Sequence, residues 1–288
     1  MDSLRILTLN VGLLEIDLPL LRKITLIKGK SIRIQAITHI LREHSHDVIL
    51  LQEVGLPAQK QLIENLKNEF PYHATHHARK LFSSNLLILS RIPLSNVTFV
   101  PYTSQTYFES WGIQKGMLCA TINWNNTDYH IINTHLVASG TEQRDTSSSA
   151  LRVRNDQINQ IKLYVEKTYT ADDHVIIGGD FNMGPQTSIE NYQNILNTFK
   201  DCMEHIHEDN RITWNPNNPL ARNRVIHDPA KQIDGFYIKH KHYDVLVNHM
   251  EINRMFLDEI SFEHNKEIIS TMISDHYGVE IILKKTTH

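Results

Sequence analysis

The sequence predicts an α/β protein in which β-sheet layers are covered by helices, and three observations lead there. Short β-branched or leucine-rich runs recur along the 288 residues. Segments with helical spacing fall between them. No repeat with a period of about 20–50 residues marks a solenoid. Strands and helices mixed in this way bury their apolar faces by stacking sheet against helix.

Strands are expected at residues 4–9, 47–52, 86–89, 117–122, 129–133, 174–177, 233–238 and 279–283, each with an apolar core of strand-forming residues. Ser31 is placed to cap a first helix that carries Ile32, Ala36, Ile37, Ile40 and Leu41 on one side. Pro57 suits the start of a second helix holding Leu62, Ile63 and Leu66, and residues 151–165 suit a third. No low-complexity linker or shift in composition divides the chain, so one domain over residues 1–288 is expected.

A content of 41% hydrophobic and 21% charged residues is that of a soluble globular protein. A formal charge of -3 gives no general attraction for phosphate backbones, so a polyanionic substrate has to be held locally. Cys119 and Cys202 are too few for a disulfide framework and fit a reducing compartment, with one disulfide still open. MDSLRILTLN lacks the features of a secretory signal. The expected location is the cytoplasm, or outside the cell by a route without such a signal.

The polar residues fall in a pattern. LTLNVG reaches Asn10, VILLQEV reaches Glu53, HIINTHL reaches His135, and VIIGGDFN reaches Asp180 and Asn182. KQIDGFYI carries Asp234, and MISDHYGV carries Asp275 and His276. Each exception to an apolar run lies at a strand end, where distant parts of the chain meet at a sheet rim. Asp180 and Asn182, two apart, are expected to point together at one ligand. The oxygens of Glu, Asp and Asn suit a hard cation and the histidines can move protons, while neither a thiolate cluster nor HxxxH spacing marks a zinc site. That set fits magnesium-assisted hydrolysis of a phosphate ester.

The ordered motifs LQEV, NTHL, GGDFN, IDGFYI and SDH resemble the endonuclease/exonuclease/phosphatase superfamily, which includes DNase I and the neutral sphingomyelinases, over residues 4–284. The resemblance implies a four-layer α/β sandwich, with two facing β-sheets and helices outside, and a metal-dependent phosphodiesterase or phosphomonoesterase. It implies Glu53 as the principal ligand of Mg2+, with Mn2+ as the substitute, helped by Asn10 and Asp275. His276 becomes the general base and Asp234 fixes its tautomer. Asp180 orients the attacking water, Asn182 donates to a phosphoryl oxygen, and His135 lies near the phosphate or the leaving group. The choice between Asp180 and His276 as base stays open.

Three segments are similar to the neutral sphingomyelinases: SNLLILSRIPL, QKGMLCATI with Lys115 and Gly116, and ITWNPNNPLA followed by IDGFYI. They imply a phospholipase C-type reaction on a choline-headgroup lipid at a membrane surface, with Lys115 facing the phosphate. Tyr102, Tyr107, Phe108 and Trp111 form an aromatic-rich stretch that suits a lipid interface. A nuclease or deadenylase acting on nucleic acid is the alternative, and a binding module without catalysis is a third reading. Ser110 stands where relatives with a regulatory aspartate carry that residue, so the resemblance does not carry that switch over to this chain.

Overall fold

The computed structural model describes residues 2–18, 21–25, 29–77, 83–106, 113–138, 148–221 and 229–285. The first half of the chain forms β1 (Ser3–Leu13), β2 (Glu15–Leu18), β3 (Leu21–Thr25), α1 (Lys30–Glu43), β4 (Val48–Val54), α2 (Leu56–Leu66), β5 (Tyr72–His77), β6 (Ser83–Ser90), β7 (Ser95–Pro101), β8 (Gly116–Trp124) and β9 (Thr127–His135). The second half forms α3 (Ser148–Thr168), β10 (His174–Asp180), α4 (Ile189–Leu196), β11 (Phe199–Asp201), β12 (Asp234–Lys239), α5 (His240–Leu246), β13 (Met250–Met255), β14 (Ile260–His264), β15 (Glu267–Thr271) and β16 (Gly278–Lys284).

Two six-stranded sheets run in the orders β13-β16-β1-β4-β6-β5 and β11-β12-β10-β9-β8-β7. They share one plan. The third and fourth strands of each are parallel, β1 with β4 and β10 with β9, and the other neighbours are antiparallel. Each parallel pair needs a crossover, supplied by α1 in the first sheet and α3 in the second. Ligand sites in such sheets gather at the carboxyl ends of the parallel strands, and both ends are on one rim here.

Strand alternation builds the layers. Leu4 and Ile6 of β1, Val48 and Leu50 of β4, Ile131 of β9, Ile176 of β10 and Phe236 of β12 meet between the sheets. The alternate residues Leu7, Leu9, Ile49 and Leu51 face outward onto Ile34, Ile37 and Leu41 of α1 and Leu62 and Leu66 of α2. On the far side Ile132, Val175 and Ile177 pack beneath Ile158, Ile161 and Val165 of α3 and Ile195 of α4. The result is the expected four-layer sandwich. Gly178 is needed where the sheets approach, since a Cβ there would lie 2.6 Å from the Phe236 ring and 2.7 Å from Leu50.

Some local expectations differ. Ser31 lies inside α1 and does not cap it: Gly29, at φ 73°, occupies the cap, and its carbonyl accepts the Arg33 N–H at 2.9 Å. Pro57 does sit in the first turn of α2. Strand β7 escaped the sequence reading because most of its residues are exposed and no alternation shows. Cys119 and Cys202 are both buried and unpaired, so the disulfide is not formed.

Candidate active site

The rim is built from two half-sites, one per sheet. On the first, β1 bulges after Asn10: Asn10 opposes Gln52 and Leu13 opposes Val54, with Gly12 at φ 53° between them. Regular alternation would send Glu53 outward with Ile49 and Leu51. Its left-handed φ of 55° breaks that alternation, and Oε1 accepts the Asn10 Nδ2–H at 3.1 Å. A non-glycine residue in this conformation costs about 1–3 kcal/mol, which the surrounding fold must supply. Asn10 Nδ2 also donates to Asp180 Oδ2 at 2.9 Å, so one amide joins the carboxylates of the two sheets. Its Oδ1 accepts the Gly12 N–H at 3.0 Å.

On the second sheet, register places Asp180 directly between His135 and Asp234. Asp234 opens its strand, yet it reaches the same rim because β12 runs antiparallel to β10. Asp234 Oδ2 lies 2.9 Å from His276 Nδ1, and His135 Nε2 lies 3.6 Å from Asp180 Oδ2. His276 comes from the turn before β16, where Ser274 Oγ donates to the Asn10 carbonyl at 2.5 Å and accepts the His276 N–H at 3.1 Å. Asp275 is buried beside it.

Asn182 departs from the expectation that it points alongside Asp180. At φ 50° it leaves the extended conformation, its N–H turns back onto Asp180 Oδ1 at 2.9 Å, and its Nδ2 donates to the Leu136 carbonyl at 3.1 Å. Lys115 is buried and donates to the same carbonyl at 2.6 Å, so both candidate phosphate donors converge on one oxygen. Tyr102 belongs to the core, with its hydroxyl 2.6 Å from Thr134 Oγ1, which removes it from any lipid-facing stretch. Tyr107, Phe108, Ser110 and Trp111 lie outside the described residues.

Sequence reasoning missed the residues beneath the rim. Gln52 Nε2 donates to Asn133 Oδ1 at 2.8 Å and to Thr8 Oγ1 at 3.0 Å, tying the sheets together one layer below the site. The signal was available: Gln52 and Asn133 are polar residues on core-facing positions of apolar strands. Thr213 Oγ1 accepts the N–H groups of Ile233 and Asp234, both at 3.0 Å, and Asn218 Nδ2 donates to the Ser274 carbonyl at 3.0 Å. TWNPNN therefore braces the Asp234 and His276 segments.

Charge is unbalanced here. Burial, then the charge of Asp275, raises the Glu53 pKa, and burial, then Asp234, pushes Asp180 up to about 6. Burial alone would lower His276, but Asp234, Asp180 and Asp275 together hold it well above the ordinary histidine value. His135 is well below that value because it is buried and faces Lys115 and His276. Asp234 Oδ1 is buried with no hydrogen-bond partner among the described residues. Ligand atoms of Asp180, Asp234 and His276 lie within 4.8 Å of one another. The charge of Asp275 adds to the cost of ionising Glu53 at the same rim, and crowded carboxylates of this kind fit a hard divalent cation.

Two facing mixed sheets between helices, with an acidic rim around a His–Asp pair, define a DNase I-like protein. The chain matches the Endonuclease/Exonuclease/phosphatase family over residues 7–276 and belongs to it. Enzymes of that family include phosphodiesterase hydrolases. The chain is 24% identical over 198 residues to sphingomyelinase C 2 of Leptospira interrogans, a match spanning 63% of this chain and 31% of the relative. It spans about a third of the length of the curated relatives it matches, 28% to 38%. A mutant beta toxin from Staphylococcus aureus with bound magnesium ions shares the fold at a TM-score of 0.75 and 19% identity, covering 98% of this chain and 100% of that one. TDP2 from Caenorhabditis elegans superposes at a TM-score of 0.67 and 15% identity, covering 98% of each chain. Among the described residues no helix is long and apolar enough to cross a membrane.

Proposed function

We propose that the chain is a divalent-cation-dependent phosphodiesterase that releases phosphocholine from a sphingolipid. The observation that carries the chemistry is the 2.9 Å contact between His276 Nδ1 and Asp234 Oδ2, facing Asp180 and the Asn10–Glu53 pair. Asp234 holds the Nδ1 proton of His276; the surrounding carboxylates favour the imidazolium, and with their charge offset by a bound cation Nε2 would be free to take a proton from water as general base. Asp180, with its pKa raised to about 6, orients that water and is the second group able to accept its proton. Lys115 and Asn182, gathered at the Leu136 carbonyl, would donate to phosphoryl oxygens once substrate enters, with His135 near the same phosphate. Glu53, Asn10 and Asp275 would hold the cation, Mg2+ or Mn2+, which supplies positive charge where the phosphoryl group becomes more anionic.

Similarity to a Leptospira sphingomyelinase supports the lipid headgroup as substrate. The likeness to TDP2 is of fold alone and keeps a phosphodiester of nucleic acid as the second reading. The test offers purified protein sphingomyelin dispersions, phosphatidylcholine, DNA and RNA, each with Mg2+ or chelator. Phosphocholine release from sphingomyelin only with the cation is the expected result, and Lys115→Ala should weaken it. Cleavage of DNA or RNA without release from any choline lipid would overturn the lipid reading and leave the phosphodiesterase assignment standing.

A further inference from the structure

Among the described residues, the bulkiest wholly buried side chains are two arginines, Arg33 and Arg154. They occupy matching places. Each lies near the start of the helix that links the parallel strands of its sheet, Arg33 in α1 and Arg154 in α3. Each donates to the backbone one or two residues after a site residue, Asn10 or His135: Arg33 Nη1 to the Gly12 carbonyl at 3.1 Å and Nη2 to the Val11 carbonyl, and Arg154 Nε to the Val137 carbonyl at 3.1 Å. Burying a guanidinium costs several kcal/mol, roughly, unless its hydrogen bonds are met, so filling space alone would favour an apolar side chain. Its planar fork has a different use, since several donors in fixed directions can join segments that a lysine cannot.

Arg33 makes such a junction. Besides Val11 and Gly12, which follow Asn10, it reaches the Ile273 carbonyl through Nε at 3.1 Å, directly before Ser274, Asp275 and His276. The Ser274 hydroxyl closes the ring by donating to the Asn10 carbonyl. We infer that Arg33 is a positioning residue for the cation-binding half of the site: from the outer helix it clamps the bulge after Asn10 onto the turn that carries Asp275. The inference rests on the cation reading proposed above. Arg154 anchors Val137 with Ser188 and Asn191, on the other half, and should have no part in holding the cation.

Mn2+ binding to the purified chain, followed by calorimetry and by the loss of the free-ion EPR signal, tests this without an activity assay. Arg33→Met should remain folded by circular dichroism and bind Mn2+ about 10- to 100-fold more weakly, the usual cost of losing a group that orients metal ligands. Arg33→Lys, which keeps the charge and loses the fork, should fall between this variant and the unaltered chain. Arg154→Met should bind Mn2+ as the unaltered chain does. Equal affinity in the unaltered chain and Arg33→Met would overturn the role of Arg33. So would failure of both Arg33 variants to fold, which would mark a purely structural residue. No Mn2+ binding by the unaltered chain would overturn the cation reading itself.

Discussion

Two clusters of buried charge, one on the outer face of the first sheet and one at the rim where the two sheets meet, differ in what surrounds their carboxylates. On the outer face, Glu280 accepts Arg5 Nε at 2.8 Å and Asn253 Nδ2 at 3.2 Å, with His46 Nε2 at 3.2 Å from the same carboxylate. Burial would raise its pKa, but these partners bring it down to about 2. At the rim, burial of Asp180 is not offset in this way, and with the charge of Asp234 added its pKa rises to about 6. Where carboxylates and cations match, the fold gains an anchor. Where carboxylates outnumber cations, it gains a place for a cation from solution.

The largest effect should come from breaking the rim at Glu53. Chelator should abolish phosphodiester hydrolysis, and Mg2+ or Mn2+ should restore it. Glu53→Gln keeps the shape but removes ligand charge, and should lower turnover by several orders of magnitude. Full turnover in that variant, measured at saturating Mg2+, would remove Glu53 from the cation site.

Next come the proton-handling groups. His276→Ala should lower turnover by about 10²- to 10⁴-fold, the usual contribution of a positioned base. Asp234→Asn should cost less, because the residue acts through His276. Its folding is the point of interest: Asp234 N–H and side chain are both tied in, through Thr213 and His276. A variant that loses its cooperative melt would show that Asp234 serves the structure first.

Much of this architecture was legible in the sequence, and what was missed has physical reasons. Apolar runs located the central strands because period-two burial leaves a direct mark on composition. The rim residues could be found because Glu53, Asp180 and Asp234 violate that mark. Orientation was not legible: alternation alone would turn Glu53 away from the site, and the left-handed backbone that breaks it depends on the bulge in a neighbouring strand. Asn182 likewise leaves the extended conformation, at φ 50°, where alternation would keep it beside Asp180. Arg33 and Thr213 could not be assigned from sequence, since their partners lie 240 and 21 residues away. Gln52 and Asn133 are visible as polar residues in apolar runs, but their pairing across 81 residues is not. The motif alone put Lys115 near the phosphate, and its burial against the Leu136 carbonyl leaves no mark in the local sequence.

The outer cluster can be broken in turn. Glu280→Gln should leave Mg2+ dependence intact and destabilise the fold by about 3 kcal/mol at neutral pH, since it strands the Arg5 guanidinium. A carboxylate lowered from 4.5 to about 2 contributes stability that is present above 4.5 and lost as pH falls through about 2. The gap in denaturation midpoint between this variant and the unaltered chain should therefore persist from pH 8 to pH 5. A gap that closed within that window would contradict the lowered pKa.

The smallest effect has the opposite sign and tests the comparison most directly. Glu53 is raised from 4.5, so its contribution to stability is present below that value and is lost as pH rises through its folded pKa. In chelator at pH 8 the ionised side chain strains the fold, and Glu53→Gln should melt slightly higher than the unaltered chain, by about 2 °C for each kcal/mol relieved. On acidification the unaltered side chain takes up a proton and the advantage should shrink toward zero. Excess Mg2+ should reverse the order at pH 8, because a cation bound to the folded state stabilises only the chain that can hold it. Calorimetric melts of the two proteins, with and without Mg2+ at pH 5 and pH 8, give four differences. A Glu53→Gln variant less stable than the unaltered chain in chelator at pH 8 would mean that Glu53 is already compensated, like Glu280, and that the rim holds no uncompensated charge for a cation to meet.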